Sequence, residues 1–278
     1  MKEIITSRQN PLIREVASLA EKKQRRRQGL FRFDGIKLLR EALATEWEIR
    51  YVLVRMPMAE ATATVLREAT ETGRLREEQV IPVSEGVFEK LTEERAPEGI
   101  LTVAVPLESL HQTGGAAEVA ALCRGDERLL LAESLRDPGN LGTVMRSCAA
   151  LGIDRLILTD DCAELYSPKT LRAAMGALFR LPTATVPTED LPLLIGALRQ
   201  SGRRVYATAL RDTACTVGDM ELRRGDCFVI GNEGHGLSEA CVVACDNSAI
   251  IPMREGNESL NAAAAAAICI WETVRASR

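Results

Sequence analysis

Apolar residues recur at two spacings along this chain. Short runs that alternate or are continuously apolar read as strands, and stretches with apolar residues three and four apart read as helices. In the first third, residues 1–30 are helical and basic, with Ser7 a candidate cap and Leu12, Ile13, Val16, Leu19 and Ala20 at helical spacing. Strands are predicted at 30–35, 49–54, 80–83 and 99–105, and helices at 36–45, 59–72 and 84–91. Residues 107–127 contain Gly114-Gly115 and no strong strand pattern. From 128 onward strand and helix alternate. Strands are predicted at 129–132, 156–159, 184–186, 205–209, 227–230 and 249–251. Helices are predicted at 141–151, 169–178, 191–200, 238–244 and 261–275. Such alternation implies a mainly parallel sheet covered on both faces. The expected organisation is an N-terminal α/β domain over 1–106, a linker over 107–127, and a second α/β domain over 128–278.

Charge changes this picture in one respect. The net charge is −4, yet residues 1–50 hold 12 Lys and Arg against 7 Asp and Glu. A basic end on an acidic body suggests a local anion-binding face. Lys22, Lys23, Arg25, Arg26 and Arg27 are its densest part, and a solvated helix face is the plainer account of the same run. Aromatics make up only 4% of the chain, so stacking surfaces are scarce. The eight cysteines sit mostly in apolar runs, as buried thiols do. Cys241 and Cys245 are four apart, but no second Cys or His pair completes a zinc set. No metal is expected. The longest apolar run, 262–271, is half the roughly 20 residues needed to span a membrane. No secretory signal is evident, and a cytoplasmic location is expected.

Three stretches carry candidate chemistry, and each follows a predicted strand. The first runs from Glu133 through Asp137-Pro138-Gly139-Asn140 to Arg146, a turn signal with Asn140 as a plausible helix cap. The second is Gly231-Asn232-Glu233-Gly234-His235-Gly236. It lacks the Gly-Lys-Ser/Thr ending of a phosphate loop and the glycine spacing of a dinucleotide fingerprint. Glu233 is more than a turn requires, whereas a lone His235 reads as incidental. The third is Ile251-Pro252-Met253, a polar loop, and then Ser259-Leu260-Asn261 before six alanines. Ser259 or Asn261 is placed to cap the last helix. Loops at the ends of strands in one α/β domain converge on ligands. Together they offer no Ser/His/Asp set, carboxylate pair or phosphate loop.

These three ordered motifs resemble the SpoU-type (TrmH-like) RNA ribose 2′-O-methyltransferases of the SPOUT class. The stretch from Tyr166 to Gly176 is also family-like. The N-terminal part, through Phe33-Asp34-Gly35 and Ala96-Pro97-Glu98-Gly99, resembles the smaller ribosomal-protein-like α/β domain that binds RNA in many members. The resemblance implies a knotted (trefoil) C-terminal parallel-sheet SPOUT domain, a homodimer formed through it, and S-adenosylmethionine as methyl donor. It implies cofactor contacts at Gly231, Ile251, Met253 and Leu260. It places catalytic-site positions at Asn140, Arg146, Glu233, Ser259 and Asn261. In the family the matching arginine is held to activate the ribose hydroxyl with help from RNA phosphate. A guanidinium is a poor base at neutral pH. Arg146 is therefore expected to position ribose and phosphate, with Asn140 holding Arg146 and Glu233 orienting polar partners. The basic N-terminal helix would neutralise RNA phosphates. Ribosomal RNA is the expected substrate. Transfer RNA, or a non-catalytic RNA-binding role on the same fold, are the alternatives.

Overall fold

In the computed structural model, residues 3–94, 96–211, 213–232, 234–254 and 259–276 are described. The chain runs α1 (Pro11–Ser18), α2 (Lys22–Gln28), β1 (Phe31–Asp34), α3 (Ile36–Leu43), β2 (Ile49–Met56), α4 (Glu60–Glu71), β3 (Val80–Ser84), α5 (Glu85–Leu91) and β4 (Ile100–Ala104). It continues with β5 (His111–Thr113), α6 (Ala116–Leu122), β6 (Leu129–Ala132), α7 (Pro138–Leu151), β7 (Arg155–Thr159), α8 (Pro168–Ala174), β8 (Thr183–Val186) and α9 (Leu191–Gln200). The last elements are β9 (Val205–Thr208), β10 (Cys215–Thr216), β11 (Cys227–Ile230), α10 (Glu239–Ala244), β12 (Asn247–Ile250) and α11 (Ala262–Ala276). Two units result: Met1–Leu107 with Tyr166–Phe179, and Glu108–Leu165 with Arg180–Arg278.

The first unit is built on a four-stranded sheet in the order β1-β4-β2-β3, antiparallel except for β2 with β3. One core joins Ile13, Val16 and Leu19 to Val87, Phe88, Leu91 and the strand residues Leu53 and Leu101. Asn10, not Ser7, caps α1. Its Oδ1 accepts from the Leu12 N–H at 3.0 Å, and Pro11 opens the helix. A second cluster joins Phe31, Phe33, Trp47, Tyr166 and Phe179. Ring centroids lie 4.7 Å apart for Phe31–Tyr166 and 5.3 Å for Trp47–Phe179. Trp47 Nε1 donates to the Phe179 carbonyl at 3.2 Å. Five of the chain's few aromatics thus hold segment 166–179 in this unit, which departs from the expected boundary.

Arg25 also departs from expectation. It is buried, and its Nη1 donates to the carbonyls of Leu19 and Ala20, each at 2.7 Å. A guanidinium committed to these carbonyls, just past the end of α1, is not presented to a phosphate. Lys22, Lys23, Arg26 and Arg27 are exposed on α2.

The second unit is an eight-stranded sheet in the order β10-β12-β9-β11-β6-β7-β8-β5. Every neighbouring pair in it is parallel. One face carries Leu129, Leu131, Ile157, Val205 and Val229 against Leu194, Ile195, Leu198 and Val119 of α9 and α6. The alternate residues Leu130, Leu156, Leu158 and Phe228 are buried too. α7 and α11 pack on each other and against β7 and β11. Ala262, Ala263 and Ala266 are buried within the chain itself, so these alanines serve internal packing. Stretch 107–127 is not a linker. It supplies edge strand β5, paired with β8, and α6, whose Val119 enters the core. Two short elements, β5 and β10, were invisible to periodicity because three or two residues carry no period. Among the described residues no helix is long and apolar enough to cross a membrane.

Asp34 ends β1 with one carboxylate oxygen, Oδ1, buried and without a hydrogen-bond partner. Burial outweighs the Thr92 hydrogen bond and the nearby Arg32, and it pushes the carboxyl up to about 6. Between the ordinary aspartate range and that value the folded chain holds more protons than the unfolded one. Stability from this group therefore falls as pH rises through that window and stays low above it. Asp34→Asn is expected to raise Tm at pH 8, by at most about 3 kcal/mol in stability, and to leave Tm at pH 4 nearly unchanged. Equal shifts in thermal melts at both pH values would rule out burial of the charge as the cause.

Candidate active site

The pocket lies where three adjacent strands end. In the order β12-β9-β11, each strand releases its chain at the same edge of the sheet, as parallel strands must. β9 leads into Thr208–Arg211, β11 into 231–237, and β12 into 250–253. Ser259, Leu260, Ala262 and Ala265, at the start of α11, close the remaining wall. The cavity holds about 520 Å³, within the usual range for a small-molecule site.

Gly231 decides the shape of the second loop. A Cβ there would stand 2.5 Å from the Gly236 carbonyl carbon and 2.6 Å from the Leu237 nitrogen. Only glycine lets the loop fold back this closely. Asn232 and Gly236 then exchange two backbone hydrogen bonds, each 3.0 Å. The Asn232 Oδ1 accepts from Gly234 N–H at 2.8 Å and His235 N–H at 3.2 Å.

The first motif arrives from β6, the next strand beyond β11. Asp137, not Asn140, caps α7: its Oδ1 accepts from the Asn140 N–H at 2.8 Å, with Pro138 first in the helix. This leaves the Asn140 side chain for another partner. Asn261 Nδ2 donates to Asn140 Oδ1 at 2.9 Å. The Oδ1 of Asn261 accepts from the N–H groups of Ala263 and Ala264, at 2.9 and 3.3 Å, and so caps α11. The expectation that Asn140 holds Arg146 gives way to this pair. Arg146 is exposed on α7 and has no hydrogen bond or ion pair among the described residues.

Gly231, Ile251, Met253, Leu260 and Ser259 all line the pocket. Asn140 and Asn261 form the pair just described and stand outside its lining. Glu233 lies outside the described residues. Two features escaped the sequence reading. Thr208–Arg211 follow a correctly predicted strand but carry no motif; the available signal was Leu210, a large apolar residue in a polar loop, which is 71% exposed. His235, read as incidental, lines the pocket.

The lining suits an adenosyl compound bearing a sulfonium. Ile230, Leu237, Val242, Ile251, Met253 and Leu260 offer apolar surface, and the glycines expose backbone groups. The arginine in the lining, Arg211, is ion-paired with Glu239, so its charge is offset. Among the described residues no group of three or more His, Cys, Asp or Glu side chains is placed to hold a metal ion.

A parallel sheet with a Gly-rich loop, an Asn pair and a capped final helix at one edge defines a class that comparison with known proteins identifies. Residues 127–271 match the SpoU rRNA Methylase family, and residues 10–102 match the MRM3-like substrate binding domain. The chain belongs to the SpoU rRNA methylase family. It is 32% identical over 274 residues to the 23S rRNA (guanosine(2553)-2′-O)-methyltransferase RlmP of Bacillus subtilis, covering 98% of each chain. It is 30% identical to the 23S rRNA (uridine(2479)-2′-O)-methyltransferase of Streptomyces viridochromogenes, covering 98% of this chain and 91% of that one. Among solved structures, the AdoMet-bound rRNA methyltransferase from Sinorhizobium meliloti superposes with a TM-score of 0.82 at 27% identity, covering 98% of this chain and 97% of that one. The SpoU methyltransferase AviRb from Streptomyces viridochromogenes, in complex with AdoMet, gives 0.77 at 27% identity, covering 96% and 97%.

Gly231→Ala is expected to cost about 1–3 kcal/mol, because its Cβ meets backbone that must move. Gly196→Ala, inside α9 with open space beyond it, is expected to stabilise by up to about 1 kcal/mol. Denaturant unfolding of both variants checks this. Similar midpoints for the two would remove the close approach as the reason for glycine at 231.

Proposed function

We propose that the protein transfers a methyl group from S-adenosylmethionine to a ribose 2′-hydroxyl of ribosomal RNA. One observation carries the reading: a pocket walled by three adjacent strand ends sits beside the Asn140–Asn261 pair, in a chain of the SpoU family whose relatives over nearly its whole length include 23S rRNA 2′-O-methyltransferases. Gly231, Ile251, Met253 and Leu260 would hold the cofactor, with Thr208–Arg211 as a further wall. Bound there, the cofactor supplies an electrophilic methyl group. Ser259 and the Asn pair would orient the ribose. Arg146, an exposed cation without a partner among the described residues, would take a neighbouring RNA phosphate and fix the hydroxyl's approach. Glu233 is assigned by its motif to orienting polar groups of the substrate.

The N-terminal unit would bind the RNA body. Lys22, Lys23, Arg26 and Arg27 are exposed and free of ion pairs among the described residues. They would contact phosphates without reading sequence. The test is transfer of labelled methyl to 23S rRNA, followed by nuclease mapping of an alkali-resistant linkage. Arg146→Ala is expected to lower kcat/KM for RNA on the order of 100-fold. Replacing the four α2 cations with Ala is expected to reduce the salt dependence of RNA binding by about 3 in log–log slope, whereas Arg25→Ala lowers Tm and leaves the slope alone. A methyl group found on a base, or tight RNA binding without transfer to any RNA, would refute the reading.

The same reading gives the second unit a trefoil knot and pairs two copies through it. Ala264, Ile268 and Trp271 form an exposed stripe on α11, with Ile268 37% and Trp271 45% exposed, which supports a covered face in solution. Light scattering is expected to show a dimer for the native chain and a monomer for the Ile268→Glu, Trp271→Glu double variant. A native monomer with full activity would exclude the pairing.

A further inference from the structure

The pocket loop 231–238 is tied at both ends by two consecutive residues that line no part of the pocket, Glu133 and Ser134. They follow β6 directly. The Glu133 carboxylate is buried. Its Oε2 accepts from the Ser238 N–H at 2.8 Å, and its Oε1 accepts from the Ser238 hydroxyl at 2.6 Å. One residue on, the Ser134 carbonyl accepts from Asn232 Nδ2 at 2.8 Å. The near end of the loop is thus held through Asn232 and the far end through Ser238.

Consecutive residues of an extended strand point their groups in opposite directions. Ser134 escapes that rule with a left-handed backbone, φ 55°. Three bonds hold it there or nearby. Its N–H donates to Thr159 Oγ1 at 2.8 Å, its hydroxyl donates to Asp161 Oδ2 at 2.6 Å, and Thr159 Oγ1 donates to Asp161 Oδ1 at 2.7 Å. Partial burial pushes the Asp161 carboxyl up, but hydrogen bonds from Ser134, Thr159, Arg136 and Thr188 outweigh it and hold the group at about 2. Asp161 therefore stays an acceptor for Ser134 at all ordinary pH values.

A buried carboxylate without a cation is an expensive way to support a turn. Among the described residues Glu133 makes no ion pair, and both its oxygens serve Ser238. We infer that Glu133 is a positioning residue for cofactor binding, fixing the far end of the pocket loop through Ser238 so that the 231–237 wall is set in advance. The inference rests on the function proposed above.

Glu133→Gln keeps the shape but removes the charge: its oxygen can still accept from the Ser238 N–H, while its amide donates to the Ser238 hydroxyl, which then loses its own acceptor. Equilibrium binding of labelled S-adenosylmethionine and steady-state rates on RNA test it, with a thermal melt alongside. Kd and KM for the cofactor are expected to rise about tenfold, with kcat at saturating cofactor nearly unchanged, the pattern of lost uniform binding. Ser238→Ala shifts Kd the same way and less, and the double variant binds no more weakly than Glu133→Gln alone. Glu127→Gln is the control. That carboxylate is also buried, at the opposite end of β6 and paired with Arg155; its loss lowers Tm and leaves the cofactor KM in place. A Glu133→Gln variant that loses Tm in the same way with an unchanged Kd overturns the inference. If Glu133→Gln does not fold, an unchanged Kd in Ser238→Ala overturns it. A native chain that binds no S-adenosylmethionine overturns the function and the inference together.

Discussion

The backbone at Gly231 approaches the turn at Gly236 and Leu237 more closely than any side chain permits. The rest of the site depends on that approach. It turns the chain back on itself within six residues of the end of β11, which leaves space above β9 and β12 instead of filling it. The two backbone bonds between Asn232 and Gly236 satisfy polar groups that the fold-back would otherwise strand. The Asn232 side chain covers two more N–H groups inside the turn. A glycine-rich loop is entropically costly to order, and here the bonds within it are joined by bonds from outside it, at Ser134 and Glu133.

Sheet topology does the remaining assembly. The three motifs lie far apart in sequence, after β6, β11 and β12. The strand order β12-β9-β11-β6 brings their loops side by side. β9 sits between β12 and β11, so the loop that follows it becomes a wall without carrying any motif. This is why Thr208–Arg211 could not be found from residue types alone. Their role is a property of the strand order, and strand order is not encoded locally.

Longer elements were legible because amphipathic spacing accumulates over several turns or alternations. β6, α9 and β11 fall where the pattern places them. Errors concentrate at caps and at contacts distant in sequence. Ser7 and Asn140 are good cap residues by type, yet Asn10 and Asp137 cap, each immediately before a proline that begins a helix without needing its missing N–H. Arg25 sits in a basic run and looks like its neighbours, but a helix presents only some of seven consecutive side chains outward. The one that turns inward finds the carbonyls of Leu19 and Ala20. Segment 166–179 is the largest miss. It lies in the middle of the second α/β pattern, and the cluster of Phe31, Phe33 and Trp47 that claims it is more than a hundred residues away.

Asn261 shows how capping and site-building become one task. The first residue before α11 must accept from free N–H groups, and Ser, Asp and Asn all do so. Here it must also donate to Asn140 Oδ1. Asp would cap equally well but would bring a second acceptor, and a charge, against that oxygen. Ser would offer one short hydroxyl for both purposes. Asn alone among the usual caps has an acceptor for the helix and a separate donor for its neighbour. The partner is available for the matching reason: Asp137 caps α7, so Asn140 is not needed there. The joint between the first and third motifs is therefore made from the ends of two packed helices. Its geometry is as rigid as the packing of α7 on α11 that brings those ends together.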